Sequence, residues 1–188
     1  MLFRSRAFAD ETKGDFDLCS PVMAAHQKCV QGNEKIMYYL AQMVRYPYDF
    51  KQLIYSSQLV QADCIRSNVE HMRRARGRCM GSAYWQVNDS NPVISWSSID
   101  YFGRWKGLHY YAKRFYAPCL ISCDDTHRKK PVLNISNERM TAFEGVVKWT
   151  LRNNKAEILQ SGEKSVSVPA LTAQNVLDID LSRELKNR

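Results

Sequence analysis

The residues of this chain best suited to act on a ligand gather at Trp85-Gln86-x-Asn88-Asp89, directly after the short run Cys79-Met80-Gly81-Ser82-Ala83-Tyr84. An indole offers a flat apolar face and one N–H donor, while the amides and the carboxylate offer donors and acceptors in several directions. Such a set can stack the apolar face of a pyranose and bond its hydroxyls. The competing reading is a core Trp beside a polar loop that caps itself. Asn88 and Asp89 either bond hydroxyls or shape the mouth of the site, or belong to that self-capping loop. Trp96 and Gln86 are weaker candidates, and Trp96 either packs beneath the loop or lines an outer subsite.

Paired carboxylates for acid/base work are harder to find. Asn33-Glu34 is the tempting dipeptide, but a helical period follows it rather than an apolar strand preceding it. Asn33 is therefore read as a helix cap and Glu34 as a carboxylate favoured by the helix dipole. Glu11, Asp15 and Asp17 read as a solvated acidic loop. His26, His71, His109 and His127 are scattered. The six cysteines form no CxxC pair, and Cys119 and Cys123 would share one face of a strand. No metal site and no cofactor is expected. Reduced cysteines and the lack of a signal-like N-terminus or a membrane-length apolar run point to a cytoplasmic protein, with the reservation that Met1 need not be the natural start.

The elements that must position these residues change character along the chain. Ser20-Pro21 opens a short helix over about 21–30, and Gly32-Asn33-Glu34 opens a second, with Ile36, Tyr39, Leu40, Met43 and Val44 on one face up to Pro47. Asp49 with Gln52 resembles a capping box at the head of a long helix to about Arg76, whose buried stripe is Phe50, Leu53, Ile54, Ser57, Val60, Gln61 and Cys64. Gly77 caps it. A strand over 79–86, a polar loop, and a helix over about 104–116 follow; Trp105, Leu108, Tyr111, Ala112 and Phe115 share that helix's buried face. Beyond the short apolar run Cys119–Ser122 and a charged linker, residues 131–137, 143–151, 156–168 and 175–181 alternate at period two, the pattern of a small antiparallel sandwich. The fold class is α/β followed by all-β, with domains at 1–124 and 125–188.

Composition excludes little. With 188 residues, 45% hydrophobic and 24% charged, the chain is of ordinary globular make-up. A net charge of +8 raises nucleic acid as a partner. The basic residues Arg73, Arg74, Arg76, Arg78 and Arg128-Lys129-Lys130 are not interleaved with exposed aromatics, so a solvated helix end and a linker are the preferred reading. Neither a nucleic acid nor a membrane is expected as partner, and the oligomeric state is unread. A complete (β/α)8 barrel takes about 250 residues. The first section, with one convincing strand, reads as one end of something larger, with apolar helix faces and a strand edge left to aggregate or to meet a partner.

Tyr84-Trp85-Gln86-x-Asn88-Asp89, Trp96-Ser97-Ser98-Ile99-Asp100-Tyr101, Gly103-Arg104-Trp105-Lys106 and Leu108-His109-Tyr110-Tyr111-Ala112-Lys113-Arg114-Phe115 together resemble the beta-mannosidases of glycoside hydrolase family two. Asp17–Gln27 and Gly32–Ile36 resemble the stretch after that family's nucleophile strand, and 131–188 its immunoglobulin-like domain. The resemblance implies the C-terminal portion of a TIM (β/α)8 barrel joined to an incomplete immunoglobulin-like β-sandwich. It implies a retaining hydrolase for terminal beta-linked mannose in beta-mannosides or manno-oligosaccharides, working through two Glu carboxylates. It also implies that Trp85 is the sugar platform, with Gln86, Asn88, Asp89 and Trp96 around it. The chain has no Ser-Glu-aromatic-Gly, so by register the nucleophile is expected before Met1 and the acid/base further upstream. No catalytic residue is assigned within the chain, which alone is expected to be inactive.

Overall fold

The computed structural model describes residues 17–185. The expectations for 1–16, including Glu11 and Asp15, lie outside that range. The chain divides into two compact units: residues up to Asn68 with Ala83–Phe115, and Val69–Ser82 with Tyr116 onward.

The first unit is built on helices. Ser20 Oγ accepts from Met23 N at 3.1 Å and Pro21 takes the first position of α1, Pro21–His26. The helix stops well short of residue 30, because Gln27 turns extended and forms a parallel bridge with Ile94. α2, Gly32–Met43, starts from Gln31 in the left-handed region without any side-chain cap. This corrects the capping role expected for Asn33. Its amide instead accepts from Gln27 Nε2 at 2.7 Å and donates to the Leu18 carbonyl at 3.1 Å. Glu34 stands exposed in the first turn. α3, Phe50–Arg74, is capped by Asp49, whose Oδ1 accepts from Gln52 N at 2.7 Å. The reciprocal arm reaches one residue further back, to Tyr48 N at 3.1 Å. Met23, Ile36, Leu40, Leu53, Ile54, Val60 and Ile94 make the core. Cys64, expected in that stripe, is exposed.

α4 spans Gly107–Phe115 and buries Leu108, Ala112 and Phe115. Gly107 lies so close to α3 that a Cβ there would sit 3.3 Å from Gln58, and its N–H donates to Gln58 Oε1 at 2.8 Å. The helix begins later than expected because residues 100–106 are committed to a tight turn. Asp100 Oδ1 accepts from Phe102 N at 3.0 Å and Arg104 N at 2.8 Å, and Gly103 has φ +76. Trp105 is therefore outside the helix, bridged to Ile99 and 40% exposed rather than core. The strand expected over 79–86 does not form. An extended run becomes a strand only when a neighbour pairs with its N–H and C=O groups. Among the described residues no strand pairs along this stretch; Gln86 O accepts from Ser98 N at its very end, and the first bridge is the parallel one, Asn88↔Ile99.

The second unit is a two-sheet sandwich. β1 (Cys119–Asp124), β2 (Val132–Asn137) and β5 (Thr172–Asp178) form an antiparallel sheet in the order β1-β2-β5, while β3 (Phe143–Arg152) and β4 (Ile158–Val168) form a hairpin. Ile135 and Val176 from one sheet and Val147 and Val168 from the other make its core. Asn137 is fully buried, and its amide donates to the carbonyls of Thr141, Val168 and Pro169 at 2.9–3.2 Å, tying the two hairpin ends together. β1 pairs with β2 along its whole length, so it belongs to this sandwich rather than to the section before residue 125. The last turn of α3 also belongs here. Arg73, expected at a solvated helix end, is buried and meets Glu138 at 3.2 Å, and Arg76 Nε donates to the Leu171 carbonyl at 2.6 Å.

Candidate functional site

The stretch Tyr84–Lys106 is held by a doubled set of contacts. Along the backbone, Ser98 N donates to Gln86 O and Val87 O at 3.1 Å, Ile99 N to Val87 O at 2.7 Å, and Asp89 N to Ile99 O at 3.2 Å. Lys106 N then donates to Ser98 O at 2.8 Å, bringing the residue before α4 against the same strip. The loop is thus folded back on itself, with 86–89 running beside 98–99.

Beneath it lies a buried polar cluster that the sequence did not announce. Lys106 is 1% exposed, yet its Nζ has three partners: Asp89 Oδ2 at 3.0 Å, Ser97 Oγ at 2.7 Å and Ser95 Oγ at 3.2 Å. Ser95 and Ser97 also approach the Asp89 carboxylate, at 2.5 and 2.6 Å. A buried ammonium is tolerable only when paired and fully hydrogen-bonded, and all three of its donors are used here. Burial pushes the Lys106 pKa below its ordinary value, against the opposing pull of Asp89 and, more weakly, Asp100. The alternation of Ser95 and Ser97 around Trp96 was a possible sequence signal. The lysine itself had none, because its partner lies 17 positions away.

Of the residues singled out from sequence, Trp85 stands open, with 75% of its surface exposed. The Trp85–Gln86 peptide is cis. Gln86 is half-buried and its Nε2 donates to Asn88 O at 2.9 Å; Asn88 is exposed. Asp89 departs from the expectation of an open ligand for hydroxyls. It is 6% exposed and both of its oxygens are engaged internally, so of its two readings the geometry supplies the loop-shaping one. Trp96 is half-buried, and its carbonyl accepts from Gln61 Nε2 of α3 at 2.8 Å. Its indole N–H is buried without a hydrogen-bond partner among the described residues. Trp85, Gln86 and Asn88 are thus grouped on one strip, while Trp96 is anchored to a helix. His109, unassigned from sequence, meets Ser98 Oγ through Nδ1 at 3.1 Å and lies 4.4 Å from the Trp105 ring.

The chain has similarities to known proteins. A family model described as the Mannosidase Ig/CBM-like domain matches residues 130–188. The beta-mannosidase of Bos taurus is 34% identical over 119 residues, covering 56% of this chain and 14% of its own length. That of Capra hircus is 46% identical over 78 residues, covering 38% of this chain and 9% of its own. The structure of beta-D-mannosidase from Dictyoglomus thermophilum superposes with a TM-score of 0.83 at 25% identity, over 96% of this chain and 22% of that one. An exo-chitosanase of Amycolatopsis orientalis shares the fold at a TM-score of 0.77 and 20% identity, over 94% of this chain and 22% of its own. In sequence the chain is similar to the beta-mannosidases, and it spans between 9% and 14% of the length of the two curated relatives described. No helix among the described residues is long and apolar enough to cross a membrane.

Proposed function

We propose that this chain is the C-terminal section of a retaining beta-mannosidase, in which Trp85 forms the platform beneath a terminal mannose and the catalytic carboxylates come from sequence outside the chain. The observation that carries the reading is Trp85 itself: a large indole left 75% exposed on a backbone whose neighbours are fixed by hydrogen bonds. A rigid, open aromatic face is what the apolar side of a pyranose stacks on. Gln86, Asn88 and Trp96 are proposed as surrounding contacts, and Asp89 as the residue that shapes the loop. The extended run at 79–86 is proposed as a barrel strand whose neighbours come from the rest of the barrel. The six free thiols support a reducing compartment such as the cytoplasm.

No carboxylate in the strip is free to act as nucleophile, since Asp89 and Asp100 are both committed to cations at 3.0 and 2.8 Å. Glu34 sits on a helix end in the role of a dipole-favoured carboxylate. The 188-residue chain should therefore not turn over an aryl beta-mannoside, whereas the product of its reading frame extended upstream should. Turnover by the chain alone that vanishes in Glu34→Gln would overturn the reading. A stop codon directly upstream of Met1 in the source DNA would favour a second reading, a non-catalytic carbohydrate-binding or structural module.

A further inference from the structure

We propose that Ser98 is a positioning residue for the Trp85 ring, acting through the residues on both sides of it. This rests on Trp85 being the sugar platform. Ser98 is fully buried, while the ring it would control is open to solvent. Its hydroxyl lies 2.9 Å from the Tyr84 phenol oxygen, 2.9 Å from Val87 O and 3.1 Å from His109 Nδ1. Its backbone N–H donates to Gln86 O at 3.1 Å. The residues immediately before and after Trp85 are therefore bonded to one serine.

The hydrogen count is closed. A serine hydroxyl has one proton and two lone pairs. When it donates to Val87 O, the Tyr84 phenol and an Nδ1–H of His109 fill the two acceptor positions. When it donates to His109 Nδ1, Val87 O retains the backbone donors Ser98 N and Ile99 N. In both cases the hydroxyl ties Tyr84 to His109, whose ring lies tilted by 55° against Trp105 at 4.4 Å. Tyr84 in turn meets the buried Phe115 edge-on at 6.5 Å. Trp85 is thus flanked by two anchors on Ser98, the Tyr84 side chain before it and the Gln86 backbone carbonyl after it.

The test uses the full 188-residue chain labelled with 5-fluorotryptophan, with the Trp85 line assigned by Trp85→Phe and the Trp149 line, from the sandwich, as internal control. In Ser98→Ala the Trp85 line should shift and narrow by roughly two-fold as the ring gains motion, while the Trp149 line stays in place. Binding of methyl beta-D-mannoside, followed on the same lines, should weaken roughly five-fold, the equivalent of one net hydrogen bond. If Ser98→Ala disturbs every line, Tyr84→Phe decides, since it removes one bond without changing the packing volume. Its Trp85 line should move in the same direction by less. A Trp85 line unmoved in Tyr84→Phe, or in a folded Ser98→Ala, overturns the proposal. A Trp85 line that moves in a protein whose lines never respond to the mannoside upholds the positioning role and sinks the sugar-platform reading instead.

Discussion

The two compact units differ in where their hydrogen bonds find partners. In the sandwich every strand pairs with another strand of the same chain, and both sheets contribute apolar side chains to one core. In the helical unit the segment 83–87 is extended, and among the described residues it joins no strand ladder. The loop that follows is held by a few backbone bonds to 98–99 and by side chains: one buried lysine, one buried aspartate and three serines fold it onto 98–106. The contrast shows that apolar alternation suffices where partner strands are at hand, even 35 or more positions away as for β2 and β5, and that a polar cluster can hold a loop that has no ladder among the described residues.

The largest effect should come from breaking that cluster. Lys106→Met leaves the Asp89 carboxylate buried without its cation, which should lower local stability by about 3–5 kcal/mol. Hydrogen exchange read by mass spectrometry should show lost protection over 86–106 and unchanged protection over 132–137 and 172–178. Equal loss in both units would break the contrast. A pH series sharpens it. Because the folded pKa of Lys106 is depressed below the unfolded value of 10.5, the unfolded state binds more protons in the window between the two. Stability of the helical unit should therefore rise with pH through that window, by up to about 1.4 kcal/mol per pH unit. The rise should be absent in Lys106→Met, and a slope shared by both proteins would assign it to other groups.

Within the sandwich, Ile135→Ala removes a 3% exposed side chain from the inter-sheet core and should cost about 2–4 kcal/mol, measured as a lower urea midpoint for exchange of the β2 and β5 amides. A smaller loss, about 1 kcal/mol, is expected for Ser20→Ala at the head of α1, whose hydroxyl accepts from Met23 N. That change should be seen only as faster exchange of the first-turn amides.

The same contrast explains what could be read in the sequence. Strands β2 to β4 were legible to within two residues because period-two alternation and the turn residues Asn153 and Pro169 mark them locally. β1 was misplaced before the boundary, since its membership depends on pairing with β2 and a charged linker separates them. Helix starts at Ser20-Pro21 and Asp49 were visible from capping chemistry, whereas the αL start at Gln31 was not, because no side chain performs it. At the site, Trp85 and its neighbours were visible by type. The burial of Asp89 was not, because its lysine lies 17 positions away and is brought there only by the turn at Asp100–Arg104.

The smallest effect concerns a second lysine–carboxylate pair. Lys148 and Glu163 stand directly opposite on β3 and β4, with Nζ 3.3 Å from Oε2. By distance this pair resembles Lys106–Asp89, but its side chains are 75% and 66% exposed against 1% and 2%. Water and mobile ions screen the exposed pair, and two long side chains lose freedom in forming it, so its coupling should be only about 0.5 kcal/mol. A double-mutant cycle of Lys148→Ala and Glu163→Ala should give that value at low salt. It should fall toward zero in about 1 M salt, where the screening length is roughly 3 Å. The Lys106–Asp89 cycle should change little across the same range, because neither charge is reached by ions. A coupling above about 2 kcal/mol at Lys148–Glu163, or one indifferent to salt, would mean that exposure does not separate the two pairs. The distinction between a loop held by buried charge and a sheet merely decorated by it would then fail.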